Sequence, residues 1–400
     1  MKDSRKYILV YIDEVQKFHF FSRLQAFLEN NGFYLIFITN RLSLYFSALF
    51  LQTNCYLLKR TSQNYLQDIE IFNPIEYLGK FLTFDESSQI FNSAYNAYVQ
   101  IQKKYDVRIC YIFGGNSAAT IALKEFAKLH SIKTVFFELS NIPGKIFVDS
   151  EGTNAHSLLY NNPLTLDLTP EVEEEEYIKW KKKYIEIRGG NYIPAQAQNK
   201  NRFYYGYIFD VIGFKLLKIP SEEDTNILQK IKQKFGVKFS KIKYDSLNIE
   251  EKFVFFPLQV SHDSQLLIHS SYDNRLGILK AIEIAENMKL ELVVKIHPAE
   301  TSLENIESIL KMQEKLGFKI VESNAFDLIR SAELVVTINS SAGLEALILE
   351  KEVIFLGKTF YFSFNKSRLR KYLMNYLLDV DFFYGGSIYP NELGREKLLS

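Results

Sequence analysis

The sequence predicts an α/β protein built from two doubly wound domains, and three observations predict it. Short apolar runs alternate with helical segments twice over, first up to about residue 140 and again from 252. Many of these runs end in small polar clusters, the habit of parallel strands whose carboxyl ends carry loops. The chain has 400 residues, more than one ordinary α/β core needs.

The elements follow in order. KYILVYI (6–12) reads as a first strand, HFFSRLQAFLENNG (19–32) as an amphipathic helix closed by Asn-Gly, and FYLIFIT (33–39) as the next strand. A long helical stretch covers 73–102. VRICYIFGG (108–115) is a strand ending in two glycines, SAATIALKEFAKLHS (117–131) a helix, and IKTVFFE (132–138) a strand. EVEEEEYIKWKKKYIEIRGG (171–190) reads as an exposed helix with a solvated, charged face. The polar stretch 195–206 reads as a linker, and 208–220 and 226–236 as helices that still belong to the first half. The second series has strands at 252–260, 290–296, 318–323, 333–338 and 352–357. Helices at 273–288, 303–317, 325–332 and 341–351 separate them. The expected division is a domain over 1–250, a second over 251–360, and a helical segment over 361–400 that crosses back to the first. The sequence also reads as one module that a longer protein would contain.

Composition bounds the function. Hydrophobic residues make up 47% and charged residues 24%, which is globular. Lys and Arg number 48 against 47 Asp and Glu, so no global field favours nucleic acid. The 33 Phe and 25 Tyr fall in strand-like and helical runs, which points to dense cores. Cys55 and Cys110 read as reduced core thiols of a cytoplasmic protein, and without a CxxC a thiolate zinc site is not expected. The first apolar run is too short for a signal peptide and is broken by Asp13 and Glu14. No stretch reaches transmembrane length without charge, which leaves peripheral contact with the inner membrane open.

Two clusters carry the candidate chemistry. His297 and Pro298 follow the strand in VVKIHPAE (293–300); Ser340 and Ser341 follow the strand in TINSSAGLEAL (337–347) and start a helix. Ligands of parallel sheets bind at strand carboxyl ends. Helix-start N–H groups and the helix dipole hold anions, so the second cluster reads as an anion seat to which His297 adds a donor. Ala342 and Gly343 read as small residues that let a ligand close in. Glu345, one turn on, is placed to accept from ribose hydroxyls, and Lys295 and Glu300 are divided between ligand and surface. In the first half, Glu138 ends a strand, and Asp149, Glu151, Asn154 and His156 follow in a loop. These carboxylates are candidates for a base or a nucleophile at an anomeric carbon. GGNS (114–117) opens a helix where backbone approaches a ligand. GxxxxGK[ST], HExxH and GxSxG are absent, and no GxGxxG follows the first strand. No DxD sits at a strand end: Asp210 falls in a helix and DVD (379–381) in the tail, so no metal is expected.

FFPLQVSHDSQLL (255–267), VVKIHPAE, DLIRSAELVVTINSSAGLEALILEKEVIFLGKTFY (327–361) and FFELSNIPGKIFVDSEGTNAHS (136–157) together resemble the bacterial capsule polysaccharide biosynthesis family. That family includes β-Kdo transferases of capsule linkers, with related modules in lipopolysaccharide O-antigen enzymes. The resemblance implies a GT-B-like fold, two Rossmann-like domains facing a cleft, and retaining transfer from CMP-β-Kdo to a glycan or glycolipid acceptor. It implies that His297 and Ser340–Ser341 hold the CMP phosphate or the Kdo carboxylate. Glu345 would face the ribose or base, with Gln259, Asp263, Lys295, Pro298 and Gly343 as further donor contacts. The nucleophile or base would be Asp149, Glu151 or Glu138. ELSNIPG (138–144) departs from the glycine or arginine that many relatives carry after the glutamate, which leaves the acceptor open. The alternatives are a GT-B enzyme using CMP-sialic acid or a UDP-sugar, a sugar-nucleotide epimerase, and a non-catalytic component of a capsule or O-antigen assembly complex.

Overall fold

Strands that are apolar on both faces must be covered on both, and that requirement organises the computed structural model. It describes residues 3–69, 72–190, 206–221 and 242–399. The expected helix at 226–236 and most of the linker at 195–206 lie outside the described residues. The chain divides into unit 1 (1–162, 193–225 and 375–400) and unit 2 (163–192 and 226–374). This partition differs from boundaries at 250 and 360. The 171–190 helix belongs to unit 2, and the last residues belong to unit 1.

Unit 1 holds a six-stranded sheet in the order β3-β2-β1-β4-β5-β6. The strands are β1 (Asp3–Ile12), β2 (Phe33–Thr39), β3 (Cys55–Leu57), β4 (Tyr105–Phe113), β5 (Lys133–Leu139) and β6 (Ile146–Asp149). All pair in parallel except β6, which runs antiparallel to β5. Strand residues alternate between two cores, as the twofold period of a strand requires. Tyr7, Leu9 and Tyr11 face the helices Phe84–Lys104 and Ala118–Leu129. Ile8, Val10 and Ile12 face Phe18, Phe21 and Leu28 together with Leu378, Phe382 and Leu398. The aromatic residues fill these layers: Tyr7, Tyr11, Tyr98, Phe21, Phe91 and Phe126 are fully buried. Thr83 and Glu86 close a capping box that starts the long helix there and not at 73.

Unit 2 holds a five-stranded, all-parallel sheet in the order β11-β10-β7-β8-β9. Its strands are β7 (Phe253–Pro257), β8 (Glu291–Lys295), β9 (Lys319–Ile320), β10 (Leu334–Thr337) and β11 (Glu352–Phe355). Helices Asn274–Met288 and Leu303–Leu316 cover one face, and Ala325–Ser331 and Ser341–Ile348 the other. Both units are therefore Rossmann-like and doubly wound. Within the expected helical segment over 361–400, the helix Lys366–Lys371 is followed by a π-helical turn, Tyr372–Tyr376. Within that turn the chain passes from unit 2 to unit 1, where Leu378 bridges to Ile146 and the Leu398 carbonyl accepts from the Tyr111 hydroxyl at 2.9 Å.

Candidate functional site

In each sheet the strand order reverses beside the first strand, and the crevice at that switch point is where such sheets take ligands. In unit 2 it lies at the carboxyl ends of β7 and β10. Ser340 and Ser341 follow β10, while His297 follows β8 on the other side of β7, so the two sequence clusters flank one strand. The crevice is clamped by amides. Gln259 Nε2 donates to Asn339 Oδ1 at 3.0 Å, the Asn339 N–H donates to Gln259 Oε1 at 3.2 Å, and Asn274 Nδ2 donates to the Gln259 carbonyl at 2.7 Å. Gln259 thus fixes the loop that delivers Ser340.

Ser340 caps its helix, its Oγ accepting the Ala342 N–H at 3.1 Å and its carbonyl the Gly343 N–H at 3.0 Å. Ser341 opens the helix half-buried. His297 is exposed, and its Nδ1 accepts the Ala299 N–H at 3.1 Å, so the neutral ring carries its proton on Nε2. Pro298 is exposed beside it. Lys295 donates to the Glu322 carbonyl at 2.9 Å, and desolvation holds its pKa below the usual lysine range. Asp263 caps the helix Ser264–His269 through the Gln265 N–H at 2.9 Å, and burial raises its pKa. Glu300 is buried, accepting from the Ser261, Thr301 and Ser302 amides.

Three expectations need correction here. Gly343 and Ala342 do not open the seat to a ligand. Ala342 packs in the core, and a Cβ on Gly343 would collide with the Phe355 ring, so its smallness serves helix-on-sheet packing. Glu345 is buried, its carboxylate paired with Arg188 and 3.5 Å from the Tyr184 hydroxyl. Desolvation raises its pKa, and Arg188 opposes that rise. The helix Glu174–Gly189 that supplies Arg188 is solvated on its charged side only. Tyr177 and Tyr184 are buried, Trp180 stacks on Tyr184 at 5.1 Å, and Tyr184 meets Phe326 edge-on at 6.2 Å.

Unit 1 is built differently. Asp149 is buried and accepts the amides of Glu151, Gly152, Leu158 and Leu159 at 2.9–3.3 Å, and the Tyr376 hydroxyl at 2.9 Å. It organises the loop. Glu151 is exposed and accepts from Asn161 Nδ2 at 3.0 Å. Glu138 is half-buried near the carboxyl end of β5, about 4.0 Å from where a Gly114 Cβ would sit. Gly114 has φ of +73°, a conformation that admits glycine with little strain. The sequence reading missed a hollow of about 250 Å³ at this unit's switch point, lined by Asp13, Asn40, Arg41, Glu76, Ser117 and Phe214 among others. Asn40 is buried, and its Oδ1 has no hydrogen-bond partner among the described residues. The polar residues that end β1 and β2, Asp13 and Asn40-Arg41, were the available signal.

A family model described as "Capsule polysaccharide biosynthesis protein" matches residues 112–364, which holds every candidate above from Glu138 onward. The chain belongs to that family. Two relatives are similar to the chain in sequence. The capsule polysaccharide export protein KpsS of Escherichia coli is 26% identical over 275 residues, 65% of this chain and 70% of the relative. The capsule polysaccharide modification protein LipB of Neisseria meningitidis serogroup A is 23% identical over 312 residues, 68% of this chain and 70% of the relative. Among solved structures, KpsC of Thermosulfurimonas dismutans, described as a β-Kdo 2,7 transferase, aligns over 98% of both chains at 16% identity, with a TM-score of 0.47.

Proposed function

We propose that this member of the family is a retaining glycosyltransferase of surface-polysaccharide synthesis, taking β-Kdo from CMP-β-Kdo to a saccharide or lipid-linked acceptor. One observation carries the reading: His297 and the Ser340–Ser341 helix start flank the same strand at the unit 2 switch point. A departing CMP is an anion, and dipoles plus an imidazole N–H stabilise it without a metal. The phosphate would take over the Ala342 amide that Ser340 Oγ now holds. Glu138 is the preferred nucleophile. Its carboxylate oxygen would bond to the anomeric carbon as the carbon–phosphate oxygen bond breaks. The acceptor hydroxyl would then displace Glu138 and give its proton to a base. Asp149, with five hydrogen bonds to satisfy, is better suited to holding the loop. The open hollow of unit 1, with Asp13, Asn40 and Arg41, suits acceptor hydroxyls.

The test is nucleotide release from a panel of CMP-Kdo, CMP-sialic acid and UDP-sugars, with and without EDTA. Release of CMP from CMP-Kdo that persists in EDTA is expected. Release from CMP-sialic acid or a UDP-sugar alone would move the donor assignment, activity lost in EDTA and restored by Mg²⁺ would reject metal-free departure, and no nucleotide binding at all would favour a non-catalytic component of capsule assembly.

A further inference from the structure

We propose that the paired helices Leu42–Phe50 and Gly206–Lys215 of unit 1 form a docking face for an anionic lipid bilayer. The exposed side chains of these helices and of the residues just after them are large and apolar: Phe50 is 87% exposed, Leu216 74% and Leu217 58%, with Phe46, Leu51 and Phe209 about half exposed. Single exposed apolar residues are ordinary, whereas a contiguous group marks an interaction surface. The Phe46 and Phe209 rings meet edge-on at 6.1 Å, and Phe46 and Phe50 on one helix and Phe209, Ile212 and Leu216 along the other recur at helical spacing, so the exposed groups form a stripe through that ring contact. A Cβ on Gly213 would lie 3.2 Å from that of Leu42. The pair is also locked as one body, because Asp210 accepts the Ser43 N–H at 2.8 Å and faces Arg41 at 3.7 Å. An apolar hollow of about 480 Å³, lined in part by Phe18, Leu44 and Phe50, opens beside it.

Charge selects the occupant. Residues 42–54 carry no charged side chain, and 206–221 carry only Asp210, Lys215 and Lys218. Asp210 is buried, while the two lysines are exposed on either side of Leu216-Leu217. Lysine is depleted in the cores of protein–protein interfaces. Beside protruding apolar side chains it suits headgroup phosphates, with the apolar groups entering the acyl boundary. Among the described residues no helix is long and apolar enough to cross a membrane, so this face would bind at the surface.

The test is co-sedimentation of the full chain with vesicles of phosphatidylcholine, alone or mixed equally with phosphatidylserine. Binding to the mixed vesicles that weakens with salt is expected. Lys215→Glu/Lys218→Glu should lose about fivefold per lysine or more, and Phe50→Ser/Leu216→Ser/Leu217→Ser about tenfold or more. Thermal melts should be unchanged, since these side chains are exposed. Equal binding by all three proteins, or none by the parent chain, would overturn the proposal. So would a dimer that the apolar variant converts to monomer, because a second copy would then be the occupant. CMP affinity of the variants reports separately on the donor reading, so either idea can fail without the other.

Discussion

The two units share a topology and differ in what they place at the reversal of strand order. At the unit 2 crevice an amide clamp of Gln259, Asn274 and Asn339 holds a helix start and an imidazole, and the resident carboxylate, Glu345, is sealed beneath by Arg188. The unit 1 crevice is a hollow lined by Asp13, which pairs with Lys17, and by Glu76, which is buried and accepts the Ala118 amide, with Glu138 nearby on β5. One end offers dipoles and donors, suited to an anion. The other offers carboxylates beside the Arg41 guanidinium, which the proposed reading assigns to acceptor hydroxyls and to attack on carbon. The same fold thus supplies two complementary chemistries through its loops.

The sharpest way to break the comparison is to unseal unit 2. Arg188→Met strands a buried carboxylate, and a loss of about 3–5 kcal/mol is expected by chemical denaturation. Adding Glu345→Gln should recover part of it. A loss below 1 kcal/mol, on the order of an exposed pair, would mean that Glu345 is solvated. Unit 1 has its own buried charge: Lys397 donates to the Tyr376 carbonyl, and desolvation lowers its pKa to about 7, with Asp149 opposing. Its ordinary value is 10.5, so between those two values the unfolded chain holds the extra proton and stability rises with pH. Below that window both states carry the proton and the slope vanishes. Unfolding free energies from pH 6 to 10, by chemical denaturation, should show a rise of at most about 1.4 kcal/mol per unit of pH that Lys397→Met removes; a variant with an unchanged profile would contradict it.

Two smaller changes separate packing from binding at the anion seat. Gly343→Ala forces a methyl against Phe355 and should cost about 1–3 kcal/mol of stability. A neutral result would return that glycine to a ligand-approach role. His297→Ala should leave the melt unchanged, because the ring is exposed, yet weaken CMP about tenfold by calorimetry through loss of one charge-assisted donor. Equal affinity would take the imidazole out of the site.

The strands were legible where burial on both faces left no polar interruption, as in Tyr7–Ile12 and Phe253–Pro257. The helix start at Ser340 was legible because capping is local. β3 and β6 escaped notice, since three or four residues make no periodic signal. The helix Glu174–Gly189 was misjudged because its glutamates and lysines outweigh a stripe of Tyr177, Trp180 and Tyr184 at helical spacing, which was there to be found. Partners far apart in sequence were out of reach. Nothing local to Glu345 points to Arg188, 157 residues away, and nothing local to Asp149 points to Tyr376, 227 residues away.

A crystal structure of the chain with CMP tests the central claim most directly. The phosphate is expected within hydrogen-bonding distance of the Ser341 and Ala342 amides, with His297 Nε2 donating to it. A nucleotide seated in the unit 1 hollow, with Ser340 still capping its own helix, would contradict the account.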